Sequence, residues 1–225
     1  MEKRVKVILS LACIGIFMLT TATMSRAQNL LVDPGAEGQV VSGSGNGEGG
    51  WTLFNGAAFS TDFAHSGSWS IKDAGPGGFT VPGDFQTFNG VTAGQAWTMT
   101  GYGLISATIP GFTNVTSFAG LQITFWSGLD GTGSNLGTVE TSPGNALFSA
   151  HLDGLTPLNT WVPLSVTAHA PAGAMSVQCF SITIDQTPVS AYFDDMTLIP
   201  EPSTIALALT GLFGLVAFGW KKRSV

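Results

Sequence analysis

Between residues 28 and 199 apolar positions alternate with polar ones over short stretches, and no window keeps a capped helical period. Leu121, Ile123 and Phe125 fall on one side of a strand, and Gln122, Thr124 and Trp126 on the other. Thr98, Thr100 and Tyr102 alternate with Trp97 and Met99 in the same way. Further strand-like runs are Trp51–Phe54, Ser68–Ile71, Gly78–Val81, Phe85–Phe88, Trp161–Ala168, Met175–Ile184 and Ala191–Leu198, with Gly, Pro, Asn and Asp between them. The pattern predicts an all-β antiparallel sandwich of jelly-roll type, and no repeat of fixed period suggests a solenoid. Trp51, Trp69, Trp97 and Trp161 are expected in its core, because large aromatics dominate such interiors. Trp126, beside Gln122 and Thr124, is placed instead on a polar face, which it would share with Tyr102 if their strands are neighbours. The glycine-rich stretches Gly43–Gly50 and Asp130–Gly137 read as flexible loops, since they lack the lysine and following helix of a phosphate loop.

Two apolar segments interrupt this pattern. Met1–Lys6 is basic, Val7–Leu19 is apolar, and Ser25-Arg26-Ala27 gives a small-residue exit. This is a secretory signal peptide over 1–27, cut by signal peptidase after Ala27. The apolar run is shorter than the ~20 residues of a spanning helix. At the other end, Pro200-Glu201-Pro202-Ser203-Thr204 precedes the uncharged run Ile205–Trp220 and the basic cluster Lys221-Lys222-Arg223. Such a cluster stays cytoplasmic, which leaves the preceding chain outside. The order of the three parts resembles the PEP-CTERM protein-sorting signal of Gram-negative bacteria, here over 200–225. That resemblance implies recognition by an exosortase, cleavage near Pro200, Glu201 and Pro202, and transient residence in the inner membrane through an apolar helix. It also implies delivery to the cell surface or extracellular matrix, in the company of exopolysaccharide.

Charge changes once both ends are set aside. The 225 residues carry 8 Lys+Arg and 14 Asp+Glu, a net charge of -6. Residues 28–199 keep 12 of the acids and only Lys72, which leaves -11. Nucleic acid is excluded as a partner, because such a domain repels phosphate. Cys179 has no internal partner, so the fold needs its own core rather than a disulfide. Excess carboxylate is compatible with a bound divalent cation and equally with a merely solubilising charge.

Several phrases, in order, resemble the jelly-roll carbohydrate-binding modules of cellulose- and xylan-binding kind, within the galactose-binding-like folds. They are Asn29–Glu37, Gly50-Trp51, Ala64–Ile71, Thr92–Met99, Pro171–Ala174 and Ala191–Leu198. The resemblance implies that the first and last segments lie side by side. It further implies a structural Ca²⁺ held by Glu37, Asp194 and a carbonyl near Ser68. Asp195 is the rival for Asp194, because a bulge would exchange their faces. The alternative is a turn-forming Asp33 and a solvated Asp194. Sugar binding needs aromatic platforms beside planar polar groups, for which Trp126, Tyr102, Gln122 and Gln86 are the candidates.

No catalytic residues are assigned. His65, His151 and His169 stand outside any recognisable nucleophile or metalloprotease motif, and adjacent strand residues such as Asp194 and Asp195 should point to opposite faces. The expectation is a non-catalytic, exported surface or matrix protein associated with polysaccharide. The alternatives are a purely structural surface protein and a secreted glycan-active enzyme.

Overall fold

The computed structural model describes residues 28–41, 50–106, 117–141, 151–185 and 188–201. The expected signal peptide with its Ala27 cleavage point, and the apolar run expected to be a helix in the C-terminal signal, lie outside the described residues.

Among the described residues ten strands form two five-stranded sheets, with every strand pair antiparallel. They are β1 (Thr52–Phe54), β2 (Ala57–Ser60), β3 (Ser70–Gly75), β4 (Gly83–Asn89), β5 (Ala96–Ile105), β6 (Phe118–Trp126), β7 (Asn135–Glu140), β8 (Val162–His169), β9 (Ser176–Ile184) and β10 (Val189–Pro200). Sheet I has the order β1-β4-β9-β6-β7, and sheet II the order β2-β3-β10-β5-β8. The core lies between them. Leu121, Ile123 and Phe125 of sheet I turn inward, as their alternation predicts, and join Ile71, Met99 and Phe193 of sheet II, each at most 1% exposed. Gly103 is required by close approach, since a side chain there would meet Leu152 and Leu164 within 3 Å.

The opening segment and the last strand are clasped. Leu30 N–H donates to the Leu198 carbonyl at 3.0 Å. The Asn29 amide donates to the Met196 carbonyl (3.0 Å), and its oxygen accepts from Leu31 N–H (3.1 Å) and Leu198 N–H (2.8 Å).

Several sequence expectations need correction. Gly78–Val81 is not a strand: Phe79 and Val81 adopt φ of +63° and +51°, in a loop wound around Asp185. Part of the presumed Asp130–Gly137 loop belongs to β7, and β2 was not anticipated. Trp51 (0% exposed) and Trp97 (3%) are core, and Trp69 packs partly against it. Trp161 is not core; it is half-buried, with its ring edge-on to His65. Tyr102 on β5 and Trp126 on β6 belong to different sheets, so they cannot share a face.

Asp185 organises the loop between β3 and β4. Its buried carboxylate accepts from Gly77 N–H (2.9 Å), the Thr80 hydroxyl (2.6 Å) and Val81 N–H (3.0 Å). Burial alone would raise its pKa, but these bonds outweigh burial and leave it below the ordinary value. A depressed folded pKa contributes stability above the unfolded value of ~3.9, and that contribution is lost as pH falls through the folded value. Asp185→Asn is therefore expected to melt below wild type at pH 6, with the gap closing as pH drops under ~4. Thermal melts of both proteins across that range check this, and a gap independent of pH would refute it.

Candidate functional site

Three regions of the sandwich carry the chemistry that the sequence singled out. The first is the junction of the opening segment, the 64–69 loop and β10. Glu37 Oε1 accepts from Ser68 N–H (2.7 Å) and Trp69 N–H (2.8 Å). Asp194 Oδ2 accepts from His65 N–H (2.7 Å) and Ser66 N–H (3.1 Å), and its Oδ1 from Asp195 N–H (2.7 Å). Asp194 is fully buried, not solvated, and burial raises its pKa against the pull of these donors. Glu37, Ser68 and Asp194 are thus brought to one loop.

A bulge between Asp194 and Thr197, with Asp195 at φ +49°, alters the expected facing. Both carboxylates address the same loop instead of opposite sides of the sheet. Asp195 Oδ2 lies 2.7 Å from His65 Nδ1, and its Oδ1 accepts from the Ser66 hydroxyl at 2.7 Å. These bonds hold the Asp195 pKa low although burial works the other way. Asp33 does form the turn considered for it, accepting from Gly38 N–H (2.9 Å) and Val40 N–H (3.0 Å).

The second region is the outer face of sheet I. Registers across β4, β9, β6 and β7 align Phe85, Phe180, Gln122 and Glu140 in one row. Phe85 and Phe180 have ring centroids 5.2 Å apart, and Phe54 caps the pair at 6.1 and 6.5 Å. The next row is Thr87, Gln178, Thr124 and Thr138, and the one beyond it contains Asn89, Ser176 and Trp126. Gln122 donates to Thr124 (3.0 Å) and Gln178 to Thr87 (3.2 Å), which fixes both amides. A 3-10 turn at Leu129–Gly131 walls the far end: Asn89 and Asp130 exchange two hydrogen bonds of 2.7 and 2.8 Å. Burial raises the pKa of Glu140. Trp126 and Gln122 were expected on such a face. Phe85, Phe180, Gln178 and Glu140 were missed; the apolar neighbours Cys179 and Val139 were the signal for Phe180, Gln178 and Glu140, whereas Phe85 is flanked by the polar Asp84 and Gln86. Gln86 itself points into the sandwich, 0% exposed, and its amide exchanges bonds of 2.7 and 3.0 Å with the Val32 backbone. It is a structural clamp and cannot reach a sugar.

The third region is the outer face of sheet II. Tyr102 lines a cleft of about 330 Å³ with Thr100, Pro163, Ser165 and Asp195. One face of its ring is covered by His65, stacked at 3.7 Å and 13°.

Gly67 sits at φ +59° between these groups, where a side chain would collide with the Glu37 carboxylate. A left-handed non-glycine residue costs ~1–2 kcal/mol before any clash is counted. Gly67→Ala should lose at least ~1–2 kcal/mol of unfolding free energy in urea titrations, with faster amide exchange at Ser68 and Trp69. A neutral substitution would show that Glu37 does not hold the loop.

Residues 198–223 match the PEP-CTERM protein-sorting motif. No curated protein matches the chain. Among solved structures, the chain is similar to the enzymatically active domain of tailspike protein 4 of bacteriophage CBA120, at 13% identity and a TM-score of 0.51. That alignment covers 77% of this chain and 21% of the tailspike chain, so this chain spans about a fifth of it. A family 16 carbohydrate-binding module aligns at 17% identity over 76% of this chain and 99% of its own, with a TM-score of 0.46. The C-terminal family 22 carbohydrate-binding module of Clostridium thermocellum Xyn10B aligns at 17% identity over 74% of this chain and 90% of its own, with a TM-score of 0.44. The chain is an antiparallel β-sandwich, with carbohydrate-binding modules among its structural neighbours, that carries a PEP-CTERM protein-sorting motif at its C-terminal end.

Proposed function

We propose that this is an exported, non-catalytic surface or matrix protein of a Gram-negative bacterium whose sandwich binds a polysaccharide along the outer face of sheet I. Signal peptidase and an exosortase process its two ends, with transient residence in the inner membrane. The observation that carries the binding reading is the row Phe85, Phe180, Gln122 and Glu140. Adjacent aromatic rings there can take the C–H face of a sugar, while a fixed amide and a carboxylate take its hydroxyls. The row holds one carboxylate, whereas hydrolysis of a glycosidic bond uses a flanking pair. Tyr102 offers a smaller platform, half covered by His65. A purely structural surface protein is the second reading, favoured by the number of polar side chains on this face that bond one another.

In affinity electrophoresis through a panel of bacterial and plant polysaccharides, wild type should be retarded by at least one. Phe180→Ala and Trp126→Ala should abolish that retardation and Tyr102→Ala should leave most of it. Wild type that runs freely in every gel supports the structural reading.

A structural Ca²⁺ at the loop junction belongs to the same proposal. The available donors are all oxygen, as a hard cation requires: the Glu37 and Asp194 carboxylates and a carbonyl near Ser68. Among the described residues no three His, Cys, Asp or Glu side chains form a metal cluster, so main-chain oxygens would complete the shell. The ion would neutralise two carboxylates in a domain with a single lysine and would reinforce closure of its ends. Chelation should lower the wild-type Tm, and Glu37→Gln should remove part of that shift. A ligand at a hundred times its Kd is worth ~2.7 kcal/mol. A chelation shift of full size in Glu37→Gln would rule this site out.

A further inference from the structure

Four inward positions at one end of the core are polar. Asp73 projects inward from β3 of sheet II, at the level of Ala191 of β10. Asp84 of β4 and Ser181 and Thr183 of β9 project inward from sheet I, paired with core positions Leu121 and Ala119 of β6. All four side chains are 0% exposed. Asp84 accepts a hydrogen bond from the Ser181 hydroxyl. Both oxygens of Asp73, Oδ1 of Asp84 and the Thr183 hydroxyl have no hydrogen-bond partner. The Thr183 hydroxyl lies against Asp73, close enough to favour its ionised form.

Buried carboxylates need a counter-charge or protons. No base supplies the former: Lys72, the one lysine of 28–199, points outward to Asp62 at 2.7 Å. His65 and His151 lie against Asp195 and Asp153, and His169 is exposed. Three of their four oxygens have no hydrogen-bond partner, so either protons or a cation must answer them. Burial pushes Asp73 well above the usual carboxylate range, with Asp84 adding repulsion, and pushes Asp84 up to about 7. The carboxylate oxygens without a donor and the Thr183 hydroxyl against Asp73 make a buried cluster whose unpartnered polar atoms are all oxygen.

We propose that Asp73, Asp84 and Thr183 form a second, internal site for a hard divalent cation of the calcium class, which bridges sheet I to sheet II. It is separate from the Glu37–Asp194 junction and does not depend on it. Being enclosed, it fills during folding and exchanges slowly.

The test uses the full chain in detergent with calcium as the probe. After desalting, the Glu37→Gln/Asp194→Asn protein should retain one equivalent of calcium by elemental analysis. Adding Asp73→Asn and Asp84→Asn should abolish it. Thr183→Val guards against misfolding, because it keeps both carboxylates and the side-chain shape. With an ion present, this change removes a ligand, so Tm in excess calcium should fall below wild type. With no ion, it removes a buried unpartnered hydroxyl, which should leave Tm unchanged or raise it. Retained calcium together with a calcium-dependent loss in Thr183→Val supports the site. No calcium in the Glu37→Gln/Asp194→Asn protein, or an equal effect of Thr183→Val with and without calcium, overturns it. Neither of those results bears on the junction site, which the Glu37→Gln melt tests on its own.

Discussion

Backbone N–H groups closing on carboxylates are the interaction that the rest of this fold depends on. A sandwich with one lysine and no disulfide among its described residues has few ion pairs and no covalent links with which to tie its loops. It wraps them around acids instead. Asp33 gathers Gly38 and Val40, Glu37 gathers Ser68 and Trp69, Asp185 gathers Gly77 and Val81, and Asp194 gathers His65, Ser66 and Asp195. Each acid lets a loop bend sharply without orphaning its donors. The loops in turn place residues in left-handed conformations, among them Asp33, Ala36, Phe79 and Val81, and Val81 N–H is itself held by the Asp185 carboxylate.

The two sheets divide the labour. Sheet II contains β10, and with it the junction where both ends of the domain meet the 64–69 loop. Its outer face is partly occupied by that loop, since His65 lies on Tyr102. On sheet I the 3-10 turn Leu129–Gly131 packs against Gln178, and the middle row of Thr87, Gln178 and Thr124 is buried. The Phe85–Phe180 row beside Gln122 and Glu140 stays half-exposed.

Strict alternation made the core side of β6 legible, because Leu121, Ile123 and Phe125 leave no second way to face the interior. The same rule failed where a local interaction overrides periodicity. Phe79 and Val81 look like strand residues, yet the Asp185 carboxylate coils them into a loop. Asp194 and Asp195 obey period two only until a bulge intervenes, and nothing in the letters marks a bulge. β7 was hidden because Asn135–Glu140 is polar and contains Gly137, as a solvated edge strand can. Tyr102 and Trp126 were each read correctly as facing outward. Their separation is a matter of strand pairing, which alternation does not encode. The carboxylates of the loop junction were legible by a different route, through phrases whose order resembles a known family. Asp73 and Asp84 had no such signal: a lone acid in a strand reads as a solvent-facing position until the register turns it inward.

The place of β10 has a mechanical consequence. It runs between β3 and β5, pairs with β5 as far as Pro200, and passes directly into the sorting motif, with Glu201 N–H still bonded to the Ala96 carbonyl. Antiparallel hydrogen bonds lie perpendicular to the strands. Tension applied from the C-terminal side therefore loads two rows of bonds in shear, all at once, where an edge strand would peel one bond at a time. Within the described residues the strand runs into the motif without a loop, so a pull on Glu201 would meet the bonded strand at once.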